Sequence, residues 1–313
     1  MSRRIVIALG GNALSTKGTD PFDIQMERAK RSMAVLASLV ADGWQIAITH
    51  GNGPQVGNAL RRVELSQSEV IPLPLSVCGA QTQGEIGFIL ALALGNHLYT
   101  SNLDKPVVTV VTRVIVDADD PGFKNPTKFI GRFYTEDEAK KLIREQGWTM
   151  KPDVGRGWRR VVPSPWPIEI VEKDAVIKLL DEGAVVISTG GGGIPVIEKP
   201  NGALEPVDAV IDKDRASAVL AKDIGAEKLI IITGVDRVAI NFGKPDQTDL
   251  AELSLEQAKK YYDENQFPPG SMGPKIESAI RFIENGGKEV IITSISQVAK
   301  SLKNEGRFTR IVP

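Results

Sequence analysis

Six short runs of aliphatic, largely β-branched residues recur along this 313-residue chain without internal polar alternation, and that pattern limits its fold more than any other feature. They run from Ile5 to Leu9, Gln45 to Thr49, Val107 to Val111, Ala184 to Ser188, Leu229 to Thr233 and Val290 to Thr293. A strand with one wet face alternates apolar and polar residues, whereas a continuously apolar run is buried on both faces, as in a parallel sheet covered by helices. Between the first two runs, Met26, Met33, Leu36, Leu39 and Val40 fall near one helical stripe within 25–41. This completes a βαβ unit, for which a right-handed crossover is expected. The fold class is α/β with a mainly parallel open sheet. At 42% hydrophobic residues the chain can bury a large core, as one big domain or two smaller ones.

Local signals refine this outline. Thr135-x-x-Glu138 and Ser254-x-x-Gln257 fit capping boxes, and Pro274 stands where a first-turn proline opens a helix through Ile276, Ile280 and Ile283. Asn201-Gly202 between Ile197 and Leu204 reads as a hairpin turn. The βα rhythm breaks over about 117–167, where prolines, glycines, aromatics and charges crowd together. A structureless loop that long does not suit a compact domain, so a small protruding subdomain with its own helix over 136–146 is expected.

Charge and cysteine usage exclude several classes of function. Lys and Arg number 38 against 39 Asp and Glu, a formal net charge of -1, which argues against nucleic acid or an anionic membrane as partner. The only cysteine, Cys78, rules out an internal disulfide and suits a reducing, cytoplasmic setting. The apolar run Ile5 to Leu9 is shorter than the ~7–15 residues of a signal-peptide core. His50 and His97 cannot form a three-histidine zinc site, and no metal-ligating set of side chains is discernible.

What the chain has in quantity is equipment for a phosphate. Lys128, Lys213 and Lys275 lie in three oddly composed loops, and the turns Gly10-Gly11-Asn12 and Gly51-Asn52-Gly53 close two of the apolar runs. In open α/β sheets ligands bind beyond the carboxyl ends of the strands, where glycine lets backbone N–H groups approach an anion. One such turn alone is equally a plain strand-to-helix connection; two at neighbouring strand ends point to an anion site. Phosphoryl transfer asks little covalent chemistry of a protein and much positioning and charge neutralisation. No Gly-x-x-x-x-Gly-Lys-Ser/Thr string occurs, so a P-loop is excluded. Asp214, beside Lys213, is placed to orient Lys213 and Lys275. The run Gly190 to Gly193 costs chain entropy, which suits a close approach of backbone to phosphate oxygens or to another strand.

Taken together and in order, these segments resemble the carbamate kinases of the amino-acid kinase family. The resemblance rests on Gly10-Gly11-Asn12-Ala13-Leu14, His50 to Gly57, Pro126-Thr127-Lys128, Gly155 to Pro165, Gly190 to Pro195, Val210 to Asp214 and Gly273-Pro274-Lys275, and spans nearly the whole chain. It implies a three-layer αβα sandwich, a homodimer, and reversible phosphoryl transfer between ATP and carbamate with Mg2+, giving ADP and carbamoyl phosphate in arginine or carbamoyl phosphate metabolism. It further implies a single domain whose 1–180 half holds carbamate or carbamoyl phosphate and whose 181–313 half holds ATP or ADP. Carried over by position, Gly10, Gly11, Asn12, Gly51, Asn52 and Gly53 border the transferred group. Lys213 and Lys275 neutralise it, Asp214 organises both lysines, and Lys128 reaches in from the subdomain. The nucleotide falls to Thr233, Asp236, Val238, Ala239, Met272, Gly273 and Lys275.

Departures from the family pattern are Phe129 where proline is common, and Ala239 and Phe242 where tyrosines are common near the adenine. Kinases of acetylglutamate or aspartate carry a lysine near the first glycine pair, where this chain has Ala8. Two alternatives stand beside this reading. One is an acylphosphate-forming kinase of a larger carboxylate anchored by Arg61 or Arg62; the other is an idle nucleotide-binding regulator.

Overall fold

The computed structural model describes residues 3–11, 20–153 and 155–313. Among the described residues, eight strands form the main sheet in the spatial order Glu252–Ser254, Thr309–Val312, Glu289–Thr293, Lys228–Ile232, Arg4–Leu9, Gln45–His50, Val185–Ile187 and Val107–Thr109. Every neighbouring pair is parallel except Glu289–Thr293 with Thr309–Val312. The register sets Ile5 beside Ile46 and Ile7 beside Ile48. Alternate residues therefore serve two cores. Ile5, Ile7, Leu9, Ile46 and Ile48 pack under the helices Phe22–Ala41 and Leu75–Thr100. Val6, Ala8 and Ala47 pack under Lys173–Asp181, Lys213–Asp223 and Gly273–Glu284. This is the αβα sandwich, and it explains why the central runs lack polar alternation: each face is covered, and each fully buried Ile, Val or Leu contributes about 1.5–3 kcal/mol. The run from Val107 to Val111 departs from that expectation, because Val107–Thr109 lies at the sheet edge and is only half-buried, and Val111 is exposed.

Helix Leu75–Thr100 is long and apolar enough by length and composition to cross a membrane. Half of its most apolar window is buried within the protein, where Ile86, Ile89, Leu90, Ala93 and Leu94 form part of the core.

Beyond the main sheet, Leu204–Pro206, Ile194–Glu198, Arg113–Val116 and Pro167–Ile170 form a second sheet, and Lys128–Tyr134, Gly157–Val162 and Met150–Asp153 a small antiparallel one. The helix Glu136–Gln146 closes the small sheet over Tyr134, Ala139 and Met150. Its capping box is present, with the Glu138 carboxylate accepting the Thr135 N–H at 2.8 Å and the Thr135 hydroxyl accepting the Glu138 N–H. Gly147 ends it in the left-handed region at φ 65. The sheet rests on helix Gly53–Ser66, where Val56, Ala59 and Leu60 meet Ile130 and Val162. That contact places Lys128 near the carboxyl ends of the main-sheet strands.

Candidate active site

Because the central strands run parallel, the residues after Leu9, His50, Ile187, Ile232 and Thr293 emerge on one edge. The helices Lys213–Asp223 and Gly273–Glu284 bring their amino termini to the same place. Asp212 caps the first of these, its Oδ1 accepting the Asp214 N–H at 2.9 Å. Pro274 opens the second. Asp214 is 3% exposed, and its carboxylate accepts from both Lys213 Nζ and Lys275 Nζ, the latter at 3.0 Å. One buried carboxylate thus fixes two ammonium groups at two helix amino termini, an arrangement that favours a multiply charged anion.

Lys128 opens the first strand of the small sheet, and its Nζ donates to Asp212 Oδ2 at 2.8 Å. Burial alone would raise the Asp212 carboxyl, but the positive charges of Lys128 and Lys213 and the hydrogen bonds from Lys128 and the Asp214 N–H outweigh it and hold the group well below the usual carboxylate range. Three lysines therefore face two aspartate carboxylates around one cavity of about 400 Å³, bordered also by Gly11, Gly51, Asn52 and Gly53.

Several of the glycines act by closeness. A Cβ on Gly10 would stand 2.9 Å from the Ile232 carbonyl oxygen, whereas one on Gly51 would make only ordinary contact with Lys213 Cδ at 3.4 Å and Gly11 N at 3.7 Å. In the four-glycine loop, a Cβ on Gly190 would strike His50 Nε2 at 2.4 Å, on Gly191 Asn52 Nδ2 at 2.2 Å, and on Gly192 the Ile211 carbonyl oxygen at 2.4 Å. Gly191 and Gly192 also hold φ of 65 and 91. The loop gathers the ends of neighbouring segments into contact, and Gly191 itself lines the cavity. Asn52 is held by a bond from its Nδ2 to Thr82 Oγ1 at 2.8 Å.

His50 is 2% exposed, with Nδ1 at 3.2 Å from the Gly51 carbonyl oxygen. That oxygen can only accept, so Nδ1 carries the proton. Burial pushes the imidazole down to about 4; the Gly51 bond opposes this and the Lys213 charge adds to it. Above pH 6.5 the ring is neutral in folded and unfolded chains alike. As pH falls from 6.5 towards 4 only the unfolded chain takes up the proton, so stability present above 6.5 is lost across that window, by up to about 3 kcal/mol. Urea unfolding of wild type and His50→Gln at pH 7 and pH 4.5 checks this. The variant is expected to lose less stability between the two, and equal losses would show that His50 does not titrate in that way.

Two further cavities adjoin the first. One of about 490 Å³ is bordered by Gly10, Gly11, Lys213, Thr233 and Lys275. The other, of about 270 Å³ and mostly apolar, is bordered by Thr233, Ala239, Phe242, Met272 and Lys275. Lys275 borders all three and Lys213 two. Together they form a path from an apolar slot to the lysine-lined chamber.

Not every residue singled out from sequence lines this path. Val238 is fully buried, with its N–H bonded to Thr309 Oγ1 at 2.8 Å. Gly273 is packed against the Pro268 backbone, and the Asp236 carboxylate accepts from Ser294 Oγ at 2.5 Å. Asn12 lies outside the described residues. Two charged residues that sequence reasoning gave no role do border the lysine chamber: Asp212, legible only as a helix-start acid, and Arg159. Arg61 pairs with Glu64 at 2.9 Å and borders a separate cavity, while Arg62 is exposed. Among the described residues no group of three or more His, Cys, Asp or Glu is placed to hold a metal ion.

Comparison with known proteins gives the family. The profile of the amino acid kinase family matches residues 3–294. The carbamate kinase of Thermococcus kodakarensis is 47% identical over 307 residues, 97% of each chain. That of Clostridium perfringens is 48% identical over 314 residues, 99% of each. Carbamate kinase from Giardia lamblia bound to AMP-PNP superposes with a TM-score of 0.93 at 40% identity, covering 99% of this chain and 98% of that one.

Proposed function

The chain belongs to the amino acid kinase family, and from that premise we propose that it is a carbamate kinase, moving a phosphoryl group between carbamoyl phosphate and ADP. The observation that carries the reading is the Asp214 carboxylate clamping Lys213 and Lys275, of which Lys275 borders all three cavities and Lys213 two. In the ATP-forming direction, the nucleoside of ADP occupies the slot at Thr233, Ala239 and Met272. Its phosphates run past Gly10, Gly11 and Lys213, and carbamoyl phosphate sits by Gly51, Asn52, Gly53 and Lys128. A β-phosphate oxygen of ADP bonds to phosphorus as the bond from phosphorus to the carbamoyl oxygen breaks, and carbamate leaves with that electron pair. No proton needs to move. The side chains therefore serve as fixed positive charges, which three lysines supply.

Magnesium fits this donor set in a particular way. Both oxygens of Asp214 are engaged by lysines and no side-chain cage is available among the described residues. Mg2+ commonly keeps its waters and binds substrate phosphates, so the nucleotide would carry it here. The ion supplies charge neutralisation at the phosphate oxygens that the lysines do not reach. We expect ATP from ADP and carbamoyl phosphate only with magnesium present, read by coupled luminescence. ATP formation at full rate in excess EDTA would contradict this.

A larger carboxylate as substrate lacks support, because Arg61 is committed to Glu64 beside another cavity. The reading places the carbamate side mainly in 1–180 and the nucleotide mainly in 181–313. It also includes a cytoplasmic homodimer. Helix Leu75–Thr100 exposes Val77, Phe88, Leu92 and Tyr99 on one stripe, next to Ile71 and Leu73, and a second copy would cover them. Sedimentation velocity at micromolar concentration distinguishes dimer from monomer.

A further inference from the structure

We propose that Asp212 is a positioning residue for this reaction, tying the Lys128-bearing sheet to the amino terminus of the helix that carries Lys213 and Asp214. The inference rests on the phosphoryl-transfer reading above. Its ground is a division of labour between two oxygens of one carboxylate: Oδ1 caps the helix by accepting the Asp214 N–H at 2.9 Å, and Oδ2 accepts from Lys128 Nζ at 2.8 Å, across 84 residues of sequence.

The backbone leads the two residues to each other. Lys128 stands opposite Val162 in the small sheet, the next carbonyl, that of Pro163, accepts the Val210 N–H at 3.0 Å, and Asp212 follows two residues on. The other ion pair between these segments, Arg160 with Asp208, is longer at 3.9 Å, and Asp208 is mostly exposed. Lys128 has a long stem that would otherwise sample many rotamers, and ordering it costs entropy at the moment the substrate must be held. With Asp212 as a standing partner that ordering precedes binding. An arriving phosphoryl group then meets an ammonium already aimed into the chamber, and shares it with Asp212. Preorganisation of this kind acts on the transition state more than on ground-state affinity.

Asp212→Asn separates the two jobs, since asparagine caps helices about as well as aspartate but cannot form the ion pair. The variant is expected to lose about tenfold in kcat with KM for ADP nearly unchanged, and to lose nothing further when combined with Lys128→Ala, because both changes remove one interaction. A readout independent of turnover is hydrogen–deuterium exchange. Amides of the Lys128–Tyr134 strand are expected to exchange about tenfold faster in Asp212→Asn while those of Arg4–Leu9 do not change. Wild-type kcat with unchanged exchange would overturn the proposal, as would a further tenfold loss on the Lys128→Ala background. A wild-type protein inactive on carbamoyl phosphate would refute the assigned reaction instead, and the exchange result would still decide whether Asp212 holds the sheet in place.

Discussion

Replacing Lys128 with alanine is expected to lower kcat for ATP formation from carbamoyl phosphate by roughly 10²–10³-fold, the scale for losing one fixed charge that stabilises a transition state. The prediction follows from where the side chain sits. Lys128 borders the chamber shared by Gly51, Asn52, Lys213 and Lys275 and is absent from the borders of the apolar slot at Ala239 and Met272. ADP affinity, measured by calorimetry, is therefore expected to change little. Lys128→Arg is expected to recover only part of the rate, because a planar guanidinium differs in reach and shape from an ammonium. Near-full kcat in the alanine variant, or loss of ADP binding in place of turnover, would remove Lys128 from the account.

Asp214→Asn is expected to cost more, on the order of 10³-fold in kcat, because two lysines depend on that carboxylate. An asparagine offers one oxygen to one ammonium and turns its NH2 towards the other. One of Lys213 and Lys275 then stays charged but loses its hold, in a site where each is mostly buried. Charge is still present, so substrate binding is expected to suffer less than catalysis, which depends on geometry fixed in advance. The pair of values kcat and KM separates these effects. A variant with wild-type kcat would reduce Asp214 to an acid favoured by a helix start.

How far the sequence discloses this arrangement depends on the range of the interaction. Strands and their burial are local, and runs such as Ile5 to Leu9 announce a sheet covered on both faces because every side chain in them has somewhere apolar to go. Capping at Thr135 and Ser254 is local too, and both boxes form where the spacing puts them. Helix Leu75–Thr100 is harder to read: Val77, Phe88, Leu92 and Tyr99 remain exposed opposite its buried face, so no polar stripe marks its outside.

The site divides in the same way. Gly51, Lys213 and Lys275 are legible because each follows an apolar run or opens a helix at the sheet edge. The pairing of Lys128 with Asp212 joins residues 84 apart and leaves no periodic trace. Val238 and Ala239 show a finer limit: in a strand successive side chains face opposite ways, so Ala239 borders the slot while Val238 fills the core. The four glycines signal a close approach, and their targets, His50, Asn52, Ile211 and Val114, appear only in three dimensions.

We propose that the lysine chamber around Asp214 handles the phosphoryl group of carbamoyl phosphate. It is tested most directly by incubating the protein with Mg2+, ADP and carbamoyl phosphate, and in parallel with Mg2+, ATP and either acetylglutamate or aspartate, while following ATP gained or consumed. Rapid ATP formation is expected in the first mixture, and no ATP consumption above background in the others. No ATP from carbamoyl phosphate, together with brisk consumption of ATP with acetylglutamate or aspartate, would contradict it.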